Sequence, residues 1–503
     1  MSEELLEKLR ENLPISENLY DLMAYFFLSI TKLYTNNISN LILFVETNIN
    51  AKSLSDSFNE LLSNDNSQSV LSPQVFGKFL DLIENASKEN EVVEKSDNKL
   101  LPGLCLVLLQ NIDTWFSNKD LSYFNPTYGP LNTQLLDECC IYFRGNESHH
   151  KEKSESFEKD RIHSFTINNL FDNFIIIRKV ELPSGCGIPK IAHISRTRTE
   201  TLSGVNCTCF PWGNNLNFAF IERDRYITVD YQTEDKDYTK NRISGFISKA
   251  IIETDPNIII FPEYSISPFG LEEIKDLVKK IRFQSQSFNL DFIVAGSTWQ
   301  KTGSGIKEKD NNVMTILDNH GNEIGTYFKY SPFIKKTEVN GRMSIERHEK
   351  LDDPGKEITL IHLDHIGIVL PSLCRDTYDG AITNTLAELF LPAYVLTTAY
   401  SHSLSSFKGR FQDLAQRFHI NFIFCNYCES IEENGSEIQD IGFAGSAEKQ
   451  KTVVSCSEEC FQRDKLCFAQ CKSKACYFNV NFNWQEDSGD IIKLQKYFFE
   501  LNL

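Results

Sequence analysis

No stretch of this 503-residue sequence approaches the roughly 20 consecutive apolar residues that a membrane-spanning helix needs. The longest apolar runs, NLILFV at 40–45 and NIIIF at 257–261, have the length of a strand or a buried helix segment. Basic charge is also in short supply: 51 Lys and Arg stand against 69 Asp and Glu, a formal net charge of -18. A general nucleic-acid binder needs clustered cations to meet phosphates, so that class is set aside. The opening MSEELLEKLREN is charged and amphipathic and lacks the apolar core of a secretory signal. The expectation is a cytoplasmic protein with neither nucleic acid nor membrane as partner. Without a signal, the 14 Cys are read as thiols rather than as a disulfide framework. No internal repeat stands out.

What is present is ordinary globular material, 41% hydrophobic and 24% charged, in a chain long enough for two or more domains. Residues 1–165 read as a mainly α-helical domain. Apolar residues recur at spacings of three and four in LLEKLRENL, LYDLMAYFFLSITKLY and VFGKFLDLIENA. The polar run GNESHHKEKSESFEKDR at 145–161, with His149 and His150, reads as a solvated linker. Residues 166–224 read as a connecting segment with short strands, NFIIIRKVEL at 173–182 and LNFAFIE at 216–222. From 225 to 503 strand-like and helix-like segments alternate, from YITVDYQ and RISGFISKAIIETDP to FKGRFQDLAQRF and NFIFCNY. Such alternation predicts an α/β domain whose sheets are covered by helices, with active residues at strand ends.

Three polar residues stand where apolar strands run out. Glu263 ends NIIIFPE, Lys329 ends IGTYFK and Cys374 ends HIGIVLPSLC. A carboxylate at the end of a buried strand is partly desolvated, which moves it toward a useful general-base range. A cysteine is a strong nucleophile once deprotonated, and a nearby ammonium favours the thiolate and can hold an oxyanion. Each residue taken alone has a bland reading: a solvated edge carboxylate, a buried packing thiol.

The phrases NIIIFPEYS, GTYFKYSPF and LCRDTYD resemble, in order, the three signature blocks of the nitrilase superfamily of carbon–nitrogen hydrolases. The intervals, 66 residues from Glu263 to Lys329 and 45 from Lys329 to Cys374, resemble that family's spacing. The likeness runs over about 225–503 and includes IGFAGSAEK at 441–449. It implies a nitrilase-like α-β-β-α sandwich that hydrolyses a non-peptide C–N bond of a small amide-like substrate. Cys374 would be the nucleophile, Glu263 the base, and Lys329 with the backbone N–H of Arg375 the oxyanion site. Asp376 matches the family's Asp after the Cys and is read as structural, a hydrogen-bond anchor for the turn. Family members often carry a second glutamate before a Pro-Gly. Here Glu346 and Glu349 both precede Pro354-Gly355, with Glu349 favoured by proximity and a charged helix or loop face as the alternative for both.

The sequence also departs from the pattern. Ser331 stands where His is frequent, and Pro371 precedes the cysteine inside a strand, which predicts a bulge or a shifted pocket. The tail carries Cys456, Cys460, Cys467, Cys471 and Cys476, which could hold a structural zinc but lack tight C-x2-C pairs; ordinary thiols are the preferred reading, and no cofactor is expected. Cys425 and Cys428 read as packing near the site, and Cys207 and Cys209 are too close for ordinary zinc geometry on a strand. The helix holding Phe411-Gln412 resembles one near a subunit interface, which makes a homo-oligomer plausible beside a plain core role. Hydrolase domains of this kind also occur fused to other modules, including in bacterial defence proteins. The alternative function is therefore a regulatory or interaction protein that uses the hydrolase-like domain as scaffold or sensor and residues 1–165 to bind a protein partner.

Overall fold

Apolar spacing in the first part of the chain does produce helices: α1 (Leu19–Leu33), α2 (Ile38–Asn48), α3 (Ala51–Ser63) and α4 (Leu100–Ser117). The computed structural model describes residues 19–33, 38–49, 51–63, 78, 81, 82, 85, 99–117, 139–143, 167–171, 173–194, 204–211, 218–223, 225–231, 234–284, 288–302, 309–339, 343–364, 366–401, 405–427, 440–446, 452–455, 474–483 and 491–500. These divide into two units. One is Met1–Leu182 with the short stretches Asp364–Gly367 and Glu388–Leu391; the other is Pro183–Leu363, Ile368–Ala387 and Pro392–Leu503.

In the first unit α4 is apolar on every side. Leu104, Cys105, Leu106, Val107, Leu108, Leu109 and Ile112 are all buried, as expected of a helix at the middle of a core. Gly103 lets it come close to α2, because a Cβ there would lie 2.9 Å from Ile49 and 3.1 Å from Val45. The unit is not purely helical: β1 (Cys139–Phe143) pairs antiparallel with β2 (Phe174–Arg178). The strand expected over 173–182 stops at Arg178, where a 3-10 turn follows. The segments LLEKLRENL, nearly all of VFGKFLDLIENA, and the linker with His149 and His150 lie outside the described residues.

The second unit is a mixed α/β fold. One seven-stranded sheet has the order β10-β9-β8-β7-β4-β19-β20, with β4 (Gly204–Cys209), β7 (Ile258–Ile260), β8 (Phe292–Thr302), β9 (Lys309–Asp318), β10 (Glu323–Phe328), β19 (Lys474–Asn483) and β20 (Ile491–Glu500). The other runs β18-β17-β16-β15-β14-β13-β3, with β3 (Lys190–Ile194), β13 (Thr359–Leu363), β14 (Gly367–Leu373), β15 (Tyr394–Ala399), β16 (Asn421–Asn426), β17 (Asp440–Gly445) and β18 (Thr452–Ser455). A smaller sheet joins β11 (Ile334–Val339), β12 (Met343–Glu349), β6 (Tyr226–Asp230) and β5 (Ala219–Arg223) in that order. β13 to β16 are buried along most or all of their length, as strands covered on both faces must be.

Side chains of the two large sheets meet. The Cys425 thiol lies 3.7 Å from the Ile260 carbonyl. A Cβ on Gly442 would fall 2.2 Å from the Phe478 ring, so only glycine fits where β17 passes β19. Helices α5 (Lys236–Thr254) and α6 (Pro268–Gln284) cover the first sheet through Ile243, Phe246, Ile247, Ile274 and Val278. Asp235 caps α5 by accepting the Tyr238 N–H at 3.1 Å. Helix α8 (Ser405–Phe418) lays Phe411 against Phe422, Phe424 and Phe443 of the second sheet. Phe411 is thus core, and its neighbour Gln412 is exposed.

Two sequence expectations need correction. Residues 166–224 are not a connecting segment: 167–182 belong with the first unit, and β3, β4 and β5 are members of the three sheets of the second. These strands look isolated in sequence because their partners are remote; β4 pairs with β7 and β19. Pro371 makes no bulge against β15. Val369 to Leu373 pair in unbroken parallel register with Tyr394 to Thr398. Successive residues of a parallel strand bond to alternate neighbours, so a proline removes one donor on one side only. Among the described residues, no helix is long and apolar enough to cross a membrane.

Candidate active site

Cys374 follows the last residue of β14 and precedes the short helix α7 (Arg375–Asp379). Its φ of 36° and ψ of -101° are rarely adopted by a residue with a side chain. Such backbone costs of order 1–3 kcal/mol and persists where neighbours enforce it. Here the Cys374 N–H donates to the Thr398 carbonyl at 2.8 Å, and its own carbonyl accepts the N–H of Thr377 at 3.1 Å and of Tyr378 at 3.2 Å. The turn presents the sulfur to a cavity of about 730 Å³ that Glu263, Tyr264 and Tyr400 also line.

Glu263 sits in the turn after β7, just before Tyr264, whose φ of 58° marks a second sharp corner. Lys329 directly follows β10. The two side chains are 1% and 0% exposed, and Lys329 Nζ stands 2.7 Å from Glu263 Oε1. The same ammonium lies 2.7 Å from Glu349 Oε2. Two of its three N–H donors are thereby taken, and one remains uncommitted among the described residues. Glu263 Oε2 accepts the Tyr400 N–H at 3.1 Å. The Cys374 thiol lies 4.0 Å from the Tyr400 carbonyl and interacts electrostatically with the Glu263 carboxylate.

Two residues that the sequence did not single out complete the cluster. Asn312, fully buried in β9, donates through Nδ2 to Glu263 Oε1 at 2.9 Å and to Glu349 Oε1 at 2.9 Å. Its backbone carbonyl accepts the Lys329 N–H at 3.0 Å. The Tyr264 hydroxyl donates to Glu349 Oε1, and the Phe333 N–H to Glu349 Oε2 at 3.0 Å. Asn312 stands just before the apolar VMTIL run and carried no signal of its own; Tyr264 carried none beyond its place after Glu263.

Of the two glutamates weighed as a second carboxylate, Glu349 is 2% exposed and inside this cluster, while Glu346 is exposed. Both lie on β12, not on a helix or loop. Asp376 is fully buried and clamps the turn after Lys329. Its carboxylate accepts the Ser331 N–H at 2.5 Å, the Tyr330 N–H at 3.0 Å and the Tyr327 hydroxyl at 3.0 Å. Arg375 turns its side chain outward to Asp379 at 2.6 Å. Its backbone N–H, at the first helical position, has no intrahelical acceptor.

Burial pushes the Glu263 carboxyl above its ordinary value; the Lys329 ammonium opposes that and the Glu349 carboxylate adds to it. Burial alone would lower the Lys329 ammonium, but Glu263 and Glu349 outweigh it and hold the proton firmly. Burial also pushes the Cys374 thiol well up, and the Glu263 carboxylate raises it further against the pull of Lys329. The expectation that the ammonium would favour a resting thiolate is therefore corrected. Two carboxylates already offset the single positive charge, so a thiolate would add a second net negative charge to a dry cluster. A proton passed from Cys374 to Glu263 leaves the total charge unchanged.

The other cysteines divide. Cys207, Cys209 and Cys425 are buried thiols. Cys428, Cys456, Cys460, Cys467 and Cys471 lie outside the described residues, and only the backbone of Cys476 is described, in β19. Among the described residues no group of three or more His, Cys, Asp or Glu is placed to hold a metal ion.

No family model matches the chain. No curated protein matches it. Among solved structures, the chain is similar to Nit3 of Saccharomyces cerevisiae, a member of branch 10 of the nitrilase superfamily, at 11% identity and a TM-score of 0.36, over 59% of this chain and 90% of that one. It is similar to an amidase from Nesterenkonia sp. at 11% identity and a TM-score of 0.35, over 58% and 93% of the two chains. The C. elegans NitFhit protein follows at 14% identity and a TM-score of 0.33, over 51% of this chain and 59% of that one.

Proposed function

We propose that the chain hydrolyses a non-peptide C–N bond, as an amidase does, through Cys374, Glu263 and Lys329 on an α-β-β-α sandwich. The observation that carries this reading is the Lys329 ammonium held 2.7 Å from both Glu263 and Glu349, all three side chains at most 1% exposed, beside a cysteine on a strained turn. A protein core gains little from such a cluster. Burying charges costs several kcal/mol per ion, which attraction only partly offsets. A reacting site can use it.

The Cys374 sulfur attacks the amide carbonyl carbon as Glu263 accepts the thiol proton. Negative charge passes from carboxylate to sulfur and then to the carbonyl oxygen. The uncommitted N–H of Lys329 and the backbone N–H of Arg375 hold that oxygen; one such donor is worth about 10²–10³ in rate. Glu263 returns its proton to the departing amine, leaving a thioester on Cys374. Glu263 then takes a proton from water as that water attacks the thioester carbon; the C–S bond breaks, the acid is freed, and Glu263 returns the proton to the Cys374 sulfur. Glu349, tied to Lys329, Tyr264, Phe333 and Asn312, keeps the ammonium in place throughout. No cofactor enters any step.

The test is release of amine or ammonia from a panel of small amides by the full chain and by Cys374→Ala and Cys374→Ser. Turnover by the wild type, lost in both variants, supports the reading. Turnover that survives in Cys374→Ala contradicts it.

A further inference from the structure

The lining of the Cys374 cavity says what kind of amide fits it, an inference that rests on the hydrolase reading above. Next to Glu263 and Cys374 the wall is aromatic. Phe220 stands edge-on to Tyr264 (centroids 5.7 Å, planes at 89°), to Phe333 (5.8 Å, 70°) and to Tyr400 (5.5 Å, 69°). Such edge-to-face contacts fix the rings in place before a ligand arrives. Tyr378, one helical turn after the nucleophile, meets Phe407 at 5.6 Å to make a second aromatic face. All six rings line the cavity, whose volume of about 730 Å³ is ample for an aryl group plus an amide.

Charge decides the rest. The cavity is lined by three charged residues among those described: Glu263, Lys335 and Arg375. Each is already engaged. Glu263 is held by Lys329, Asn312 and Tyr400. Lys335 Nζ is 2.6 Å from Glu222, and Arg375 Nε is 2.6 Å from Asp379. Neither Glu222 nor Asp379 lines the cavity, so each cation has its nearest counter-charge outside it, in an exposed pair. A carboxylated amide would compete with Glu222 or Asp379 for these cations, whereas a neutral aromatic acyl group meets the six rings with no charge to displace.

The geometry points to a neutral amide with an aromatic acyl group as the substrate of this site, with the ring against Phe220 and Phe333 and the carbonyl carbon at Cys374. Three amides separate the alternatives: 3-phenylpropanamide, propanamide and glutamine. With the full chain, kcat/KM for ammonia release is expected to be at least about tenfold higher for 3-phenylpropanamide than for propanamide, the discrimination an apolar pocket gives a matched group. Glutamine is expected to fall below both. Phe220→Leu is expected to lower the phenyl-to-propyl ratio by at least about threefold. Equal or better turnover of propanamide or glutamine overturns the proposal. A binding arm keeps the two readings apart. Saturation-transfer NMR on Cys374→Ala is expected to show 3-phenylpropanamide bound and propanamide not. If no amide is hydrolysed but the aromatic one still binds, the hydrolase reading fails and the aromatic pocket stands. If propanamide binds as well as the aromatic amide, the pocket proposal fails whatever the turnover.

Discussion

Buried polar groups that stitch segments together are found in both units, whereas among the described residues a buried cluster of opposite charges is found in the second. In the helical unit, Asp113 accepts the Asn173 N–H at 2.8 Å while its carbonyl accepts the Asn173 side chain at 2.8 Å, and Asn111 donates to the Val107 carbonyl at 2.7 Å and to Ser55 at 2.9 Å. These bonds stitch neighbouring segments together. In the sheet unit, two carboxylates and an ammonium meet one another, next to a thiol and a cavity. The lesson is that burial alone does not mark function. A buried polar group whose bonds close a turn is architecture; buried opposite charges that enclose one nucleophile are a device for moving protons.

Substitutions separate the two kinds of buried group. The largest effect is expected at the nucleophile: Cys374→Ala lowers turnover by at least about 10⁴-fold with little change in stability, read from steady-state rates beside chemical denaturation. Glu263→Gln removes the proton acceptor and lowers turnover by about 10²–10⁴-fold, with the acylation step the most affected in rapid-quench measurements. Lys329→Met leaves Glu263 and Glu349 facing each other without a counter-charge. A cost of about 3–5 kcal/mol is expected, as a lower urea midpoint, together with loss of activity. In the helical unit Asp113→Ala strands the Asn173 N–H and costs about 1–3 kcal/mol, with the amide-hydrolysis rate at saturating substrate unchanged.

The smallest effect is a pH slope. Burial lifts the Asp376 carboxyl from 3.8 to about 7, against the pull of the Tyr330 and Ser331 N–H donors. A carboxyl raised in this way binds its proton more tightly folded than unfolded. Its stabilising contribution is complete below about pH 4 and is lost as pH rises through about 7. Asp376→Asn is expected to flatten that decline, measured as the urea midpoint against pH.

Glu263, Lys329 and Cys374 each follow an apolar run, but each run alone has a bland reading; the three stood out together because their blocks, in order and spacing, resemble one family. Glu349 stayed ambiguous with Glu346 because the segment reads as a charged helix or loop. On a strand the two are three residues apart and face opposite ways, so one is buried and the other exposed. Asn312 was invisible for a different reason. Val313 pairs with Phe328 across β9 and β10, which sets Asn312 opposite Lys329, and register cannot be read from one strand. Long-range pairing hid β4 among short strands and let Pro371 look disruptive in a ladder that tolerates it.

Hydrolysis at this site requires Cys374 to form a covalent acyl intermediate by handing its proton to Glu263. The most direct measurement is intact and peptide mass after rapid acid quench of the full chain with 3-phenylpropanamide and with phenyl propionate, an activated ester of a small acyl group. A mass increase equal to the acyl group, mapped to the peptide holding Cys374 and diminished in Glu263→Gln, is the predicted result. Turnover with no adduct on that peptide, or an equal adduct on another cysteine, contradicts it.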